Sequence, residues 1–426
     1  METKLLHYTI EQAEYPAYPR FVNPEDYYKK DGSWDHEAYR EAEEAYHQML
    51  LKMGKGVAAG DAGVLAFADK TAGQVLLSRG SENGVYSPVS LYTAMAMLAE
   101  VCAGESREEV LFAMGTADLE AMRDAVHQLW IDSYCDSGVV TSRMGSSLWL
   151  NEQVKYQEEA LKTLADSYFA SSYRVAMGTD EAGRAIGKWI NEQTGGLLRD
   201  EADNIRTEAR TLLQLYTTLY FKARWQDTFN PELTEKGLFH LPDVDGTAVE
   251  CDFVHAQRTG ACRRGDGYTA AILPFAANGG YMAFCLPDED VPLAELLQRP
   301  GLLSELLQMN EYGNIIQWTV PKFDISSNIG LNDLMKELGV RAAFDVQAAD
   351  FTPLTDVPAF LSNVRQAARV KIDEEGVEAA AFTEMAVCTS SMPMGMVEMK
   401  LDRPFLFAIY DANGLPLFVG TVQNPE

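Results

Sequence analysis

Between residues 63 and 130 apolar positions recur at helical spacing. Ser87-Pro88 opens one helix there: serine suits the N-cap, and proline suits a first turn that has no use for its N–H. The run VSLYTAMAMLAEVCAG continues that helix and stops it at Gly104, and SREEVLFAMG follows as a second capped helix. Strand-like runs come later: VVTSRMGSSLWLN, TLLQLYTTLYFKARW, YTAAILPFA, YMAFCLP, IIQWTVPKFDIS and FLFAIYD. Helices and strands intersperse without βαβ regularity, so the class is α+β. No internal repeat and no low-complexity linker divides residues 61–426, which read as one large domain.

Residues 1–60 differ. EYPAYPRFVNPEDYYKKDGSW is rich in Pro and Tyr and predicts an extended arm. WDHEAYREAEEAYHQMLLKM then sets Tyr39, Ala42, Tyr46, Met49, Leu50 and Met53 on one helical face. This piece is too small for its own core and is expected to pack on the body.

Charge narrows the partners. The 63 acidic and 35 basic residues give a net charge of -28. Such a field repels phosphate backbones and anionic lipid, so neither nucleic acid nor a membrane surface is an expected partner. METKLLHYTIEQAE has no basic n-region and no apolar h-region, so no signal peptide is read in this chain. By sequence alone the compartment is cytoplasmic. Cys102, Cys135, Cys251, Cys262, Cys285 and Cys388 form no CxxC pair, so neither zinc nor a redox motif is indicated. There is no GxSxG, HExxH, Walker or dinucleotide signature. The histidines end at His255, leaving the last third of the chain without one. No metal, no cofactor and no enzymatic activity are expected.

One stretch stands apart: DEEGVEAAAFTEMAVCTSSMPMGM, Asp373 to Met396, which is uncharged from Met385 to Val397. With its flanks it resembles the reactive-centre loop of a serpin. MKLDRPFLFAI, Met399 to Ile409, looks like that family's C-terminal signature at every position. VYSPVSLYTAMAML, LYFKARW, AIGKWINEQTGGLL, YTAAILPFAANGGYMAFCLP, VPKFDI and VQNP fall in the family's order across residues 63–426. The resemblance is to the inhibitory type, with a prokaryotic source expected. It implies helices around a large mixed five-stranded sheet, with an exposed loop over about residues 374–398. It also implies suicide inhibition: a protease cleaves the loop, forms an acyl-enzyme and is trapped as the loop enters the sheet.

The loop's own pattern agrees. Val377, Ala379, Ala381, Thr383, Met385 and Val387 alternate with Glu378, Ala380, Phe382, Glu384 and Ala386, as a half-buried strand should. No proline interrupts Asp373 to Met392, so no ladder donor is missing. Without the ordered motifs, an Ala-rich surface helix or edge strand would be the plainer reading.

By the resemblance, Glu374, Glu375, Gly376, Val377, Glu378, Ala379, Ala380 and Ala381 form the hinge. Trp225, Lys322 and Glu374 form the breach, and Ser87, Ser90, Thr217 and Gln366 the shutter beneath the opening sheet. Thr217 and Gln366 depart from the asparagine and histidine usual there; both are polar and could bond to each other or to Ser87. Counting from Glu374 sets the scissile bond between Ser390 and Ser391, with Thr389 and Met392 as alternatives. Small residues there suit elastase-like proteases, while chymotrypsin- and subtilisin-like enzymes stay open. No Arg or Lys lies between Asp373 and Val397, which disfavours trypsin-like targets. A non-inhibitory carrier and a cysteine-protease inhibitor are the alternatives. A heparin-type polyanion is not expected, because ESREEVLFAMGTADLEAMRD has no basic face. The chain is expected to be a monomer, and extracellular if a leader was removed.

Overall fold

A computed structural model describes residues 5–55, 61–242, 247–362, 364–377 and 395–426, without the side chains of 61, 62, 200 and 201. Eight helices concern the site: α1 (His36–Lys52), α2 (Asp61–Leu77), α3 (Pro88–Val101), α4 (Gly104–Ala113), α5 (Leu119–Ser133), α6 (Glu158–Tyr168), α7 (Asp180–Gln193) and α8 (Arg199–Asp203). The central one is α3. Ser87 Oγ accepts the Ser90 N–H at 3.3 Å and caps it, and every residue but Ala94 is buried. The next helix starts at Gly104, two residues earlier than its sequence suggests. Gly104 takes a positive φ of 52° that turns the chain straight into α4. Ser106 is therefore not the cap; it is buried, and its hydroxyl accepts the Asp350 N–H at 3.2 Å.

The first sheet runs β1 (Thr9–Glu11), β5 (Ala170–Val175), β4 (Val140–Asn151), β6 (Leu213–Arg224), β14 (Gly376–Val377), β13 (Arg365–Ile372) and β12 (Phe323–Gly330). A short β3 (Cys135–Asp136) pairs with β4. The five strands expected from the family likeness are β5-β4-β6-β13-β12. The three short ones are additions. Only β4–β5 is parallel, which makes the sheet mixed. It separates two cores. Its α3 side joins the main core, and its α7 side holds a smaller one around Trp149, Tyr173, Ile186 and Trp189. Gly187 in α7 lets the return segment close in, since a Cβ there would lie 2.4 Å from the Ala202 carbonyl oxygen.

The second sheet runs β15 (Met396–Lys400), β11 (Glu311–Pro321), β8 (Ala248–Gly265), β9 (Tyr268–Pro274), β10 (Tyr281–Pro287), β16 (Phe405–Tyr410), β17 (Pro416–Val422) and β2 (Gly84–Tyr86). A further strand, β7 (Glu235–His240), pairs with β8. Every residue of β16 and β17 is buried, which explains the unbroken apolar runs there.

The N-terminal arm adds β1 to the outer edge of the first sheet, against β5. Tyr15 and Tyr18 lie against Trp130 and Tyr134 at ring distances of 5.0 and 5.7 Å. None of α1's residues is fully buried. Tyr39, Ala42, Tyr46, Leu50 and Met53 are half-buried, but Met49, expected on the same face, is exposed. The contact stripe is narrow, and Met49 falls at its margin.

The five described cysteines are free thiols. Among the described residues no helix is long and apolar enough to cross a membrane, and no cluster of His, Cys, Asp and Glu could hold a metal.

Candidate functional site

The hinge begins with a turn. Asp373 Oδ1 accepts the N–H groups of Glu375 (2.9 Å) and Gly376 (3.2 Å), and the Asp373 N–H donates to the Gly376 carbonyl at 3.1 Å. The turn reverses the chain from β13 into β14. Gly376 and Val377 then pair with Arg224 and Ala223 of β6, and Val377 with Ile372 of β13. Val377 is 2% exposed. Only glycine fits at 376: a Cβ there would meet the Ala223 carbonyl oxygen at 2.2 Å. Among the described residues β6 and β13 share no strand pairing of their own; β14 alone bridges them.

The breach residues come together above this strand. Trp225 is buried and stacks on Phe275 at 5.2 Å. Its indole N–H donates to the Asp373 carbonyl at 3.0 Å and its backbone N–H to the Glu375 carbonyl at 3.0 Å. The Phe229 N–H donates to the Glu374 carbonyl at 2.9 Å. Lys322 Nζ lies 3.1 Å from Glu374 Oε1, which also accepts the Thr234 hydroxyl at 2.8 Å. Burial pushes the Glu374 carboxyl up. Its own backbone N–H, the Thr234 hydroxyl and the Lys322 ammonium outweigh that and hold it below the ordinary glutamate value.

A lowered carboxyl pKa adds stability above the unfolded value, and that stability is lost as pH falls through the folded one. Glu374→Gln is therefore expected to lower the apparent unfolding free energy by about 1 kcal/mol near pH 7. In urea titrations the gap to the parent should close in acid, as the pH falls through the lowered pKa and the parent carboxyl protonates too. A gap undiminished in acid would remove the ionised carboxylate from the hinge's support.

The shutter residues meet in two separate pairs. Gln366 on β13 is buried; its Oε1 accepts the Ser87 N–H at 2.8 Å and its Nε2 donates to the Ser87 carbonyl at 2.9 Å. Thr217 on β6 donates to the Ser90 carbonyl at 3.2 Å. Both strands that flank β14 are thus tied to the first turn of α3, one through each polar side chain. The amide and the hydroxyl do not bond to each other; each reaches a different helix residue.

Glu378, Ala379, Ala380, Ala381, Cys388, Thr389, Ser390, Ser391 and Met392 lie outside the described residues. The sequence reading missed Asp373, Thr234 and Phe229. An Asp three residues before a Gly, as in DEEG, is an Asx-turn signal and could have found the first. Thr234 and Phe229 come from a distant loop with no local signal.

A five-strand sheet with a hinge strand wedged at its centre, and a peptide that returns into a neighbouring sheet, defines the class of the serpins. The family model described as "Serpin (serine protease inhibitor)" matches residues 62–425, and the chain belongs to that family. Serpin-Z2A of Triticum aestivum is 28% identical over 363 residues, covering 81% of this chain and 90% of its own length. Mouse neuroserpin is 28% identical over 367 residues, covering 81% and 87%. The fold is shared with the thermophilic serpin tengpin in its native state, at a TM-score of 0.76, 22% identity and coverage of 85% and 93%. It is shared too with human thyroxine-binding globulin complexed with its hormone, at a TM-score of 0.76, 23% identity and coverage of 88% and 99%. The fold is thus shared with a protein named for what it binds.

Proposed function

We propose that this chain is a suicide-substrate inhibitor of serine endopeptidases, with an elastase-like enzyme as the favoured target. The observation that carries the reading is β14, a two-residue strand already paired on both sides with β6 and β13. In the proposed cycle the protease serine attacks the Ser390 carbonyl. The bond to Ser391 breaks, its nitrogen leaves protonated as a new amino terminus, and an ester joins protease to inhibitor. Insertion of the freed segment competes with hydrolysis of that ester. The chain supplies no catalytic group, needs no cofactor and is consumed.

The register of β14 supports a specific inserted state. Carried on one for one, it would set Thr383 opposite both Thr217 and Gln366, polar beside polar. It would set Met385 and Val387 opposite Leu215 and Leu213. Those leucines line a cavity of about 130 Å³ whose apolar part includes Leu91, Met95, Leu98 and Leu148. Apolar inward residues at those two positions suit such a cavity.

The test is to mix the chain with pancreatic elastase, chymotrypsin, subtilisin and papain, then apply a denaturing gel and intact mass spectrometry. A denaturant-stable complex is expected with elastase, and the released peptide should begin at Ser391. Release beginning at Ser390, Met392 or Pro393 would move the bond to its neighbours. Clean loop cleavage by every enzyme without a complex would overturn the inhibitory reading and leave a carrier. A complex with papain alone would make it a cysteine-protease inhibitor.

A further inference from the structure

Helix α1 lies over a cavity. Tyr39, Glu43, Tyr46 and Leu50 follow one another at helical spacing on its inward face, yet all four are only half-buried. Beneath them is a space of about 400 Å³. The arm adds Tyr18, Phe21 and Lys55 to its wall, and the body adds Ser142 of β4 and Phe221 of β6, a cross-strand pair. The arm is fastened around this space: the Phe21 N–H donates to the Ser137 carbonyl at 2.9 Å, the Gln128 amide to the Gly54 carbonyl at 2.9 Å and the Lys55 ammonium to the Asp132 carbonyl at 2.9 Å. These arm residues precede residue 62, where the family match begins, so the enclosure does not come with the family fold.

The wall carries an unmet bond and local strain. Ser142 is 3% exposed, and its hydroxyl has no hydrogen-bond partner among the described residues. Alternate residues of a strand share a face, and Val140 and Ser142 both border the cavity. A buried hydroxyl left unpaired calls for a partner from outside the chain. Ala277 and Asn278 also border the cavity, at φ of 55° and 53°. Left-handed backbone is costly for alanine and persists where ligands are clamped.

Charge and size select the ligand. Glu43, Asp132 and Asp411 stand around the cavity against one ammonium, Lys55, in a chain of net charge -28, so an anion is repelled. An organic cation would compete with Lys55, whose Nζ already lies 5.1 Å from the centre of the Tyr18 ring. What remains is a neutral molecule. Tyr18, Phe21, Tyr39, Tyr46 and Phe221 offer it aromatic surface, and a volume of about 400 Å³ suits a small organic compound.

We propose that this cavity binds a neutral aromatic compound of one or two rings whose oxygen accepts from the Ser142 hydroxyl. The rings stack among the tyrosines, and the oxygen completes the bond that β4 leaves open. The cavity is already walled by the fastened arm, so little ordering opposes binding. The occupant touches arm and body together, and therefore ties the one to the other and stabilises the fold. The site is independent of the inhibitory reading, since none of the hinge, breach or shutter residues borders it.

Equilibrium dialysis of the full chain against 2-naphthol tests this. One molecule should bind per chain with a Kd of about 100 µM or tighter, a range open to so small a ligand. The thermal midpoint should rise in its presence. Its charged counterparts, 2-naphthoate and 2-naphthylmethylammonium, should bind at least about tenfold more weakly. Ser142→Ala removes the hydroxyl and Leu50→Trp crowds the cavity; affinity should fall about fivefold in the first and about tenfold in the second. The alanine variant keeps the test decisive if the tryptophan loosens the arm. Absence of saturable binding up to about 1 mM, equal affinity for the charged counterparts, or full affinity in either variant overturns the proposal.

Discussion

Gly376→Ala is expected to turn an inhibitor into a substrate. The added methyl would sit 2.2 Å from the Ala223 carbonyl oxygen and 2.8 Å from Arg224 Cα. Both belong to the backbone of β6, so no side chain can step aside. The hinge has to leave the slot between β6 and β13, and the pairs of Gly376 and Val377 go with it. The scissile region is remote from this change, so the loop should be cut as fast as before. What changes is the fate of the acyl-enzyme: insertion slows and hydrolysis wins. Titration of elastase activity should show the stoichiometry of inhibition rising by more than tenfold, with kcat/KM for loop cleavage unchanged within about twofold; the extra barrier this needs is about 1.4 kcal/mol or more. An unchanged stoichiometry would mean that β14 does not lie on the insertion path.

The second large effect should come from Gln366→Leu. The amide is 5% exposed and holds both backbone groups of Ser87. The Ser87 carbonyl keeps its bond from the Leu91 N–H, but the Ser87 N–H loses the partner it has here. A buried donor left unmade costs about 1–3 kcal/mol, and the lost second bond adds about 1 kcal/mol. The mechanical consequence is greater, because the amide fastens β13 to the start of α3. Freed there, β13 should part from β6 more readily, and the uncleaved loop should enter the sheet without any protease. The expected outcome is a lower thermal midpoint together with faster loss of inhibitory capacity on warm storage. Thr217→Val, which removes one bond from a half-buried hydroxyl, should cost only about 1 kcal/mol. If the two variants behave alike, the shutter is not carried by the amide.

The ordered motifs made the fold legible. The cap at Ser87 was readable because capping is local chemistry. The partners of Gln366 and Thr217 were only partly so, because a polar residue in a strand does not say which distant carbonyl it will meet. The sequence left them free to pair with each other or with Ser87; Gln366 takes Ser87, and only Thr217 goes elsewhere, to Ser90, because β13 and β6 pass over different residues of α3. β14 was half legible. Gly376 announced a hinge, but not that two residues already lie in the sheet, which depends on their pairing with the distant β6. Met49 and Ser106 were misjudged for a common reason: periodicity assigns a face or an end to within a residue or two, and one neighbour's conformation shifts it.

The three residues of β1 have a meaning for solubility. A strand at the rim of a sheet offers unpaired N–H and C=O groups to any other chain, and native proteins blunt such rims. Here Thr9–Glu11 lie along β5, and the Arg174 N–H is taken by the Tyr8 carbonyl at 2.7 Å. The far rim, β12, is guarded differently: Asp324 is held there by Arg369 at 2.7 Å. Under the proposed insertion, a sheet that takes one strand at its centre gains from refusing strands at its borders. The arm closes one border of this sheet with a paired strand, and the Asp324–Arg369 ion pair places charge on the other.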